Sequence, residues 1–324
     1  MADIRRPQIS VVIPTRNRAD VLEECIERLG HEAVAAKVAV EAIVIDTSSS
    51  PTPFSYVENE YLNVHYRYDG DRPFSLIYAR NQGLDLARAN IVAYIDDDCF
   101  VLSGWLGALL EPYQSADTVA TGGRIVYHPW HPVRSGEPIA VLDVDSDKVW
   151  AEWDRVVPAP ITVSHLPGGN FSVLKSRAVA VGGFDPQFTG SANLEETDFF
   201  IRLGKLGGNI VFHPRAVVEH RAAPRTDGIA RSGTNYLYRK SAVRNRIYLL
   251  RKHGSGAAVR RGVVRQCKDL GAGLLKSAVQ SGIFAAASLV GIIEGLTTPV
   301  TGGKRKGEAL SMEMEGITKF LSKQ

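Results

Sequence analysis

Ile91-Val92-Ala93-Tyr94-Ile95-Asp96-Asp97-Asp98 is the stretch on which the reading of this chain turns. Five apolar residues rich in β-branched and aromatic side chains predict a buried strand. That strand runs into three consecutive carboxylates, which concentrates negative charge at one edge of a sheet. Charges so close repel by kilocalories at low dielectric, and they persist when solvated or matched by a cation. Hard oxygen ligands suit Mg²⁺ or Mn²⁺, ions that usually also hold a substrate phosphate. Taken alone, the three acids fit a solvated acidic turn equally well.

Working outward, strands alternate with helices. Ile9 to Pro14 predicts a strand, and Arg16 to Leu29 has helical spacing with Asn17 or Asp20 as cap. Glu41 to Asp46 and Val64 to Tyr68 are further strands, and Ser75 to Ala89 a helix. Such alternation implies a parallel sheet with ligands outside the carboxyl ends of its strands. Thr15, Asp46 and Asp96 to Asp98 all fall at those ends. Residues 122–167, with Trp130, Trp150, Trp153, His128 and His131, predict a long irregular loop. A loop of that length serves as a lid or binding segment, and its tryptophans pack beneath it. Beyond it come Gly168-Gly169-Asn170 and a short strand, a Gly182-Gly183-Phe184-Asp185 turn, and a helix from Leu194 to Lys205. Asp198 and Arg202 are spaced to pair on that helix. Two short strands follow, Ile210 to His213 and Ala216 to His220.

The chain has 324 residues, 44% hydrophobic and 23% charged, an ordinary globular composition. Its three cysteines, Cys25, Cys99 and Cys267, form neither a disulfide framework nor a zinc signature, and the charged N-terminus carries no leader signature. A reducing, cytoplasmic setting is expected. The net charge of +3 hides a split. Residues 1–234 carry 22 basic and 30 acidic side chains, and residues 235–324 carry 16 and 5. An acidic body therefore precedes a basic helical extension over 235–324. Tyr236 to Lys252 is helical with bases between its apolar positions, and Ile283 to Ile293 is apolar but too short for a span of ~20 residues. Two readings stand for the bases: docking on an anionic inner membrane face, or packing back on the acidic body. Aromatics of the base-stacking kind are not interleaved with them, so no nucleic acid is expected.

Seven ordered pieces of the chain resemble the family-two glycosyltransferases of the GT-A fold, across roughly residues 8 to 250. They are ISVVIPTRNR, the strand ending at Asp46, ARNQGLDLARANIVAYIDDD, PGGNF, GGFD, LEETDFFIRL and VVEHR. The resemblance implies an α/β, Rossmann-like, mostly parallel sheet flanked by helices. Its nucleotide-binding half would span about 8–121 and its acceptor-binding half about 122–234. It also implies an inverting transfer of a sugar from a nucleotide diphosphate sugar to an acceptor hydroxyl.

By the same resemblance Pro14, Thr15, Arg16 and Asp46 line the nucleotide pocket, with Asp46 accepting an N–H from a pyrimidine ring. Arg80 lies near the nucleotide or its phosphates, or else pairs on the helix surface with Asp85. Asp98 ligates Mn²⁺ or Mg²⁺, Asp96 reaches the ribose or a metal-bound water, and His220 is a further metal ligand. Asp97, on the opposite face by the period of two, assists or is solvated. Gly168, Gly169 and Asn170 let backbone approach the donor sugar. Glu195-Glu196 replaces the family's usual Glu-Asp, and the catalytic base falls on Glu196, with Glu195 as the alternative. Tyr238-Arg239 and Arg244-Asn245 are similar to bacterial rhamnosyltransferases, which implies a UDP- or dTDP-linked donor. Glycan, lipid-linked and small-molecule acceptors stay open. Two rival functions are a nucleotidyltransferase, against which the first strand lacks a glycine-rich loop, and a non-catalytic scaffold.

Overall fold

In a computed structural model the described residues are 6–53, 55, 59–72, 76–128, 139–223, 235–273 and 278–300. Trp130 and His131 lie outside them, as does the His128 side chain. The first half is a run of parallel strands: β1 (Ile9–Thr15), β2 (Val40–Asp46), β3 (Leu62–Tyr68) and β4 (Ile91–Ile95). Helix α1 (Ala19–Ala36) joins the first two, and α2 (Leu76–Leu86) precedes β4. The period of two explains why the sheet is covered on both faces. Ile9, Val11 and Ile13 enter one apolar core with α1, while Val12 enters the other with Ile43, Ile45 and Leu84. Gly83 of α2 lies over β1 so closely that a Cβ there would sit 2.2 Å from Val12 Cγ1. Only glycine permits that approach.

The second half adds β5 (Cys99–Val101), α3 (Trp105–Leu110), β6 (Thr118–His128), β7 (Ala140–Asp143), β8 (Lys148–Ala151), β9 (Ile161–Thr162), β10 (Asn170–Leu174), α4 (Lys175–Ala180), α5 (Glu195–Gly204) and β11 (Asn209–Arg221). The sheet runs β3-β2-β1-β4-β10-β6-β11-β5, with β9 on β11 and β7–β8 as a separate hairpin. β10 is antiparallel to both β4 and β6. Three sequence expectations change here. The supposed long loop begins inside the eleven-residue β6 and contains the β7–β8 hairpin. The two strands expected at 210–220 are one, broken by a register shift between His213 and Val218, where Pro214 cannot donate to the ladder. Helix α1 starts at Ala19 rather than Arg16, because Asn17 turns left-handed at φ 54 and Arg18 is the N-cap.

Register sets the site. Thr15, Asp46 and Tyr68 end their strands level with one another. Val12 pairs with Tyr94, which brings Thr15 level with Asp97 three residues on. Asn170 pairs with Ile95, so Gly168 and Gly169 lie beside Asp96, and His220 pairs with Cys99, beside Asp98.

Helices α6 (Tyr236–His253), α7 (Gly256–Gly273) and α8 (Ala278–Thr297) form the C-terminal layer. α6 is not a separate tail. Tyr248 and Leu249 enter the same core as Phe184 and Phe199, and Val243, Ile247 and Leu250 meet α7 and α8. The bases of α6 fold back on the acidic body. Lys252 lies 2.6 Å from Asp185 and 2.8 Å from Asp198, His253 2.7 Å from Asp198, and Arg246 2.6 Å from Asp147. Arg244 donates to the Gln187 carbonyl and to Thr298. For α6 the second of the two readings of the basic extension holds. No helix among the described residues is long and apolar enough to cross a membrane.

Candidate active site

The ends of β4 and β10, the first turn of α5 and the C-terminal part of β11 line one crevice of about 290 Å³, containing Arg80, Asp96, Gly168, Gly169, Glu195, Glu196 and His220. Arg80 is the bolt of this site. It is 1% exposed, so the surface pair with Asp85 is ruled out. One arm donates to Glu195, and the other to Asp96 Oδ1 at 3.1 Å and to the Gly168 carbonyl at 2.7 Å. One guanidinium thus ties three segments that are distant in sequence, a use that its rigid fork allows. The glycines leave it room. A Cβ on Gly168 would lie 3.3 Å from Arg80 Nη2, and one on Gly169 3.2 Å from Asp96 Oδ2.

Asp96, whose side chain is 28% exposed, faces the crevice. Asp97 does not: the strand ends at Ile95, the chain turns, and the alternation used to place Asp97 no longer holds. It is buried rather than solvated, accepting from Thr15 Oγ1 at 2.8 Å and Arg18 Nη1 at 2.7 Å. Burial, with the charge of Asp98 beside it, pushes its carboxyl up to about 7 despite Arg18. Asp98 is also buried, yet His220 and Arg18 outweigh that burial and hold its carboxyl below the ordinary range. The Asp98 Oδ1 to His220 Nε2 distance is 3.4 Å, and Tyr127 packs edge-on against the imidazole.

Ligand atoms of Asp98, Cys99 and His220 lie within 4.8 Å of one another. The donor set fits a divalent cation through Asp98 and His220. Cys99 is the poorer match of the three, because hard cations such as Mn²⁺ and Mg²⁺ favour oxygen ligands over a soft thiolate. Arg18, 3.0 Å from Asp98 Oδ2, already shows that these acids hold a positive group.

Glu195 and Glu196 start α5 but differ in setting. Glu195 is 2% exposed, and its Oε2 finds no hydrogen-bond partner among the described residues. Burial and the charges of Glu196 and Asp96 push it up to about 8, against the pull of Arg80. Glu196 is half-buried and lines the crevice.

Two expected site residues are spent elsewhere. Asp46 is fully buried and accepts from Ser48 N at 2.9 Å, Thr52 N at 2.8 Å, Tyr66 OH at 2.5 Å and the Ser48 hydroxyl. A carboxylate offers about four acceptor positions, so none remains for a pyrimidine N–H. Asn170 likewise faces the sheet. It donates to the Arg124 and Ala216 carbonyls at 2.8 Å each and accepts from Trp105 Nε1 at 2.8 Å. Pro14 is buried in β1, and Arg16 reaches the Thr47 carbonyl and Asp71 at 2.7 Å. Asp198 and Arg202 pair as their spacing predicts, at 2.7 Å. Sequence reasoning missed Arg18, which sits within the quoted ISVVIPTRNR and reaches Asp97 and Asp98. Tyr238, noted there only for its likeness to rhamnosyltransferases, lines the crevice and meets Asn193 at 3.3 Å.

Residues 10–161 match the family described as glycosyl transferase family 2. The succinoglycan biosynthesis protein ExoM of Rhizobium meliloti (strain 1021) is 26% identical over 260 residues, covering 76% of this chain and 77% of that protein. Validoxylamine A glucosyltransferase of Streptomyces hygroscopicus subsp. jinggangensis (strain 5008) is 27% identical over 205 residues, covering 57% of this chain and 48% of that one. The chain thus spans about half the length of the second relative. The crystal structure of GalNAc-T7 with UDP, GalNAc and Mn²⁺ superposes with a TM-score of 0.50 at 17% identity, over 74% of this chain and 51% of that chain. That likeness establishes the fold, which is of the GT-A type.

Proposed function

We propose that this chain, whose residues 10–161 match glycosyl transferase family 2, moves a sugar from a nucleotide diphosphate sugar to an acceptor hydroxyl with inversion. The observation that carries this reading is the convergence of Asp96, Glu195, Glu196, His220 and Arg80 on one crevice at the strand ends. Glu196, facing that crevice, takes the proton of the acceptor hydroxyl. The acceptor oxygen bonds to the anomeric carbon as the bond to the diphosphate oxygen breaks, and the electron pair leaves with the nucleoside diphosphate. One displacement of this kind inverts the anomeric carbon. Arg80 holds Glu195 and Asp96 in place, and Glu195 positions Glu196 on the first turn of α5. Asp98 and His220 would hold Mn²⁺ or Mg²⁺, with Asp96 nearby. When bound, the ion supplies Lewis-acid neutralisation of the departing diphosphate.

The donor class we favour is a UDP- or dTDP-linked hexose or deoxyhexose, for synthesis of a polysaccharide, lipid-linked glycan or glycoconjugate. The test is a panel of nucleotide sugars assayed for nucleoside diphosphate release with Mn²⁺, Mg²⁺ and chelator, with product stereochemistry read by NMR. Undiminished turnover in chelator, or a retained anomeric configuration, would sink the corresponding part.

A second reading concerns where the acceptor is met. Arg260 and Lys268 of α7 are exposed beside Val264, while Arg265 reaches Asp147 and Arg261 the Asp145 carbonyl, and adjacent α8 exposes Leu289 and Ile293, 47% and 52% respectively. Apolar side chains flanked by bases suit the headgroup region of an anionic bilayer. These observations support α7 and α8, rather than α6, as the face for peripheral attachment. Arg260→Glu with Lys268→Glu should weaken flotation with anionic vesicles severalfold. Equal flotation of the two proteins would remove α7 as an anchor.

A further inference from the structure

Arg18 and His220 flank Asp98 on its two carboxylate oxygens, and a divalent cation held by Asp98 and His220 would share that carboxylate with Arg18. Arg18 Nη1 lies 2.7 Å from Asp97 Oδ1 and 3.0 Å from Asp98 Oδ2, while the other Asp98 oxygen faces His220 at 3.4 Å. The approach is a built one. Asn17 takes a left-handed φ of 54, a conformation that asparagine tolerates better than most residues. Its N–H donates to Ser48 Oγ at 2.7 Å, and its side-chain oxygen accepts from Ser49 N at 3.0 Å. The loop that ends β2 therefore pins the turn that delivers Arg18 to the acids. The guanidinium side chain is 18% exposed, so it stands at the rim of the acid cluster and is not sealed beneath it.

A guanidinium and a dication on the same carboxylate repel one another strongly in a partly buried site. Buried Asp97 and Asp98 also cannot be left without a counter-charge at small cost. We infer that Arg18 is a tethered counter-ion that is exchanged during binding. Without a cation it neutralises Asp97 and Asp98. When a divalent cation takes Asp98 and His220, the fork swings out and donates to the diphosphate oxygens of the nucleotide. This rests on the metal-assisted reading above and adds a consequence to it. The ion alone binds weakly, and ion and nucleotide bind with positive coupling, because each relieves the cost the other meets.

The experiment is a pair of calorimetric titrations on wild type, Arg18→Gln and Arg18→Lys: MnCl₂ without nucleotide, then UDP and dTDP at saturating MnCl₂. For Arg18→Gln, Mn²⁺ alone should bind about tenfold more tightly, because its competitor is gone, and the nucleotide about tenfold more weakly, because its fork is gone. A merely structural role would move both affinities in the same direction. Arg18→Lys keeps the charge and fold, and should shift both in those opposite directions by about threefold. Mn²⁺ affinity that is unchanged or weaker in both variants overturns the exchange. If Mn²⁺ binds none of the three proteins even with UDP or dTDP present, the metal reading itself falls, and the exchange with it.

Discussion

Glu195 and Asp198 stand three residues apart on α5, both buried, yet their carboxyls are pushed in opposite directions. Burial and neighbouring acids push Glu195 up to about 8, whereas Asp198 is held down at about 2 although burial opposes it. The difference lies in their partners. Asp198 has Arg202, Lys252 and His253 within 2.8 Å, two of the three supplied by α6. Glu195 has Arg80, which also serves Asp96, with Glu196 beside it. The crevice is thus an acid cluster left short of positive charge, and the α6 interface is one fully matched. On the proposed function the first would take a cation and a proton from outside; the second holds the molecule together.

This contrast can be broken or sharpened by experiment. The largest effect should come from Glu196→Gln, which removes the proposed base: kcat falls about 10³-fold, with Tm within about 2 °C of wild type. A comparable loss in Glu195→Gln with little change in Glu196→Gln would reassign the base. Next is Asp198→Asn, which leaves Lys252 and His253 facing a neutral amide. Its cost is about 3 kcal/mol in urea unfolding, with kcat of the folded protein within a few-fold. An activity loss larger than that would erase the distinction between the two clusters.

Acid unfolding gives a smaller and more specific signal. The folded pKa of Asp198, about 2, lies below its ordinary 3.8, so its contribution is fully present above about pH 4 and is lost as pH falls through 2. That contribution amounts to about 2 kcal/mol, and urea midpoints between pH 4 and 2 should fall less steeply in Asp198→Asn. Glu195 has the opposite sign. Its folded pKa of about 8 exceeds 4.5, so its contribution is present below pH 4.5 and is lost as pH rises through 8. Glu195→Gln should flatten that second window. Smallest of all is Thr15→Val, which removes the 2.8 Å bond to Asp97 and should cost about 1 kcal/mol at pH 8. No change at all would mean that Asp97 is satisfied without it.

The parts of the site that were legible in the sequence are those fixed by local pattern. An apolar run closed by acids marks β4 and the crevice, and acids followed by Phe199 and Phe200 mark the start of α5. What escaped depends on partners distant along the chain. Asp46 reads as a binding residue until Ser48, Thr52 and Tyr66 are seen to fill its acceptor positions. Asn170 reads likewise until Trp105, Arg124 and Ala216 are found around it. Asp97 was misplaced because strand alternation was carried two residues past Ile95, where the strand ends. Arg18 had no local signal, since an arginine at a helix start is ordinary, and its role emerges from a turn pinned by Ser48 and Ser49.

The shared packing of α6 has a mechanical consequence. Tyr248 and Leu249 are set among the phenylalanines that seat α5, while Lys252 and His253 grip Asp198 on α5 itself. A load applied to the C-terminal layer, such as the tug of a surface to which it adheres, is therefore delivered to the helix whose first turn carries Glu195 and Glu196. Shortening the chain at residue 234 would not liberate an independent catalytic unit; it would strip that helix of its support.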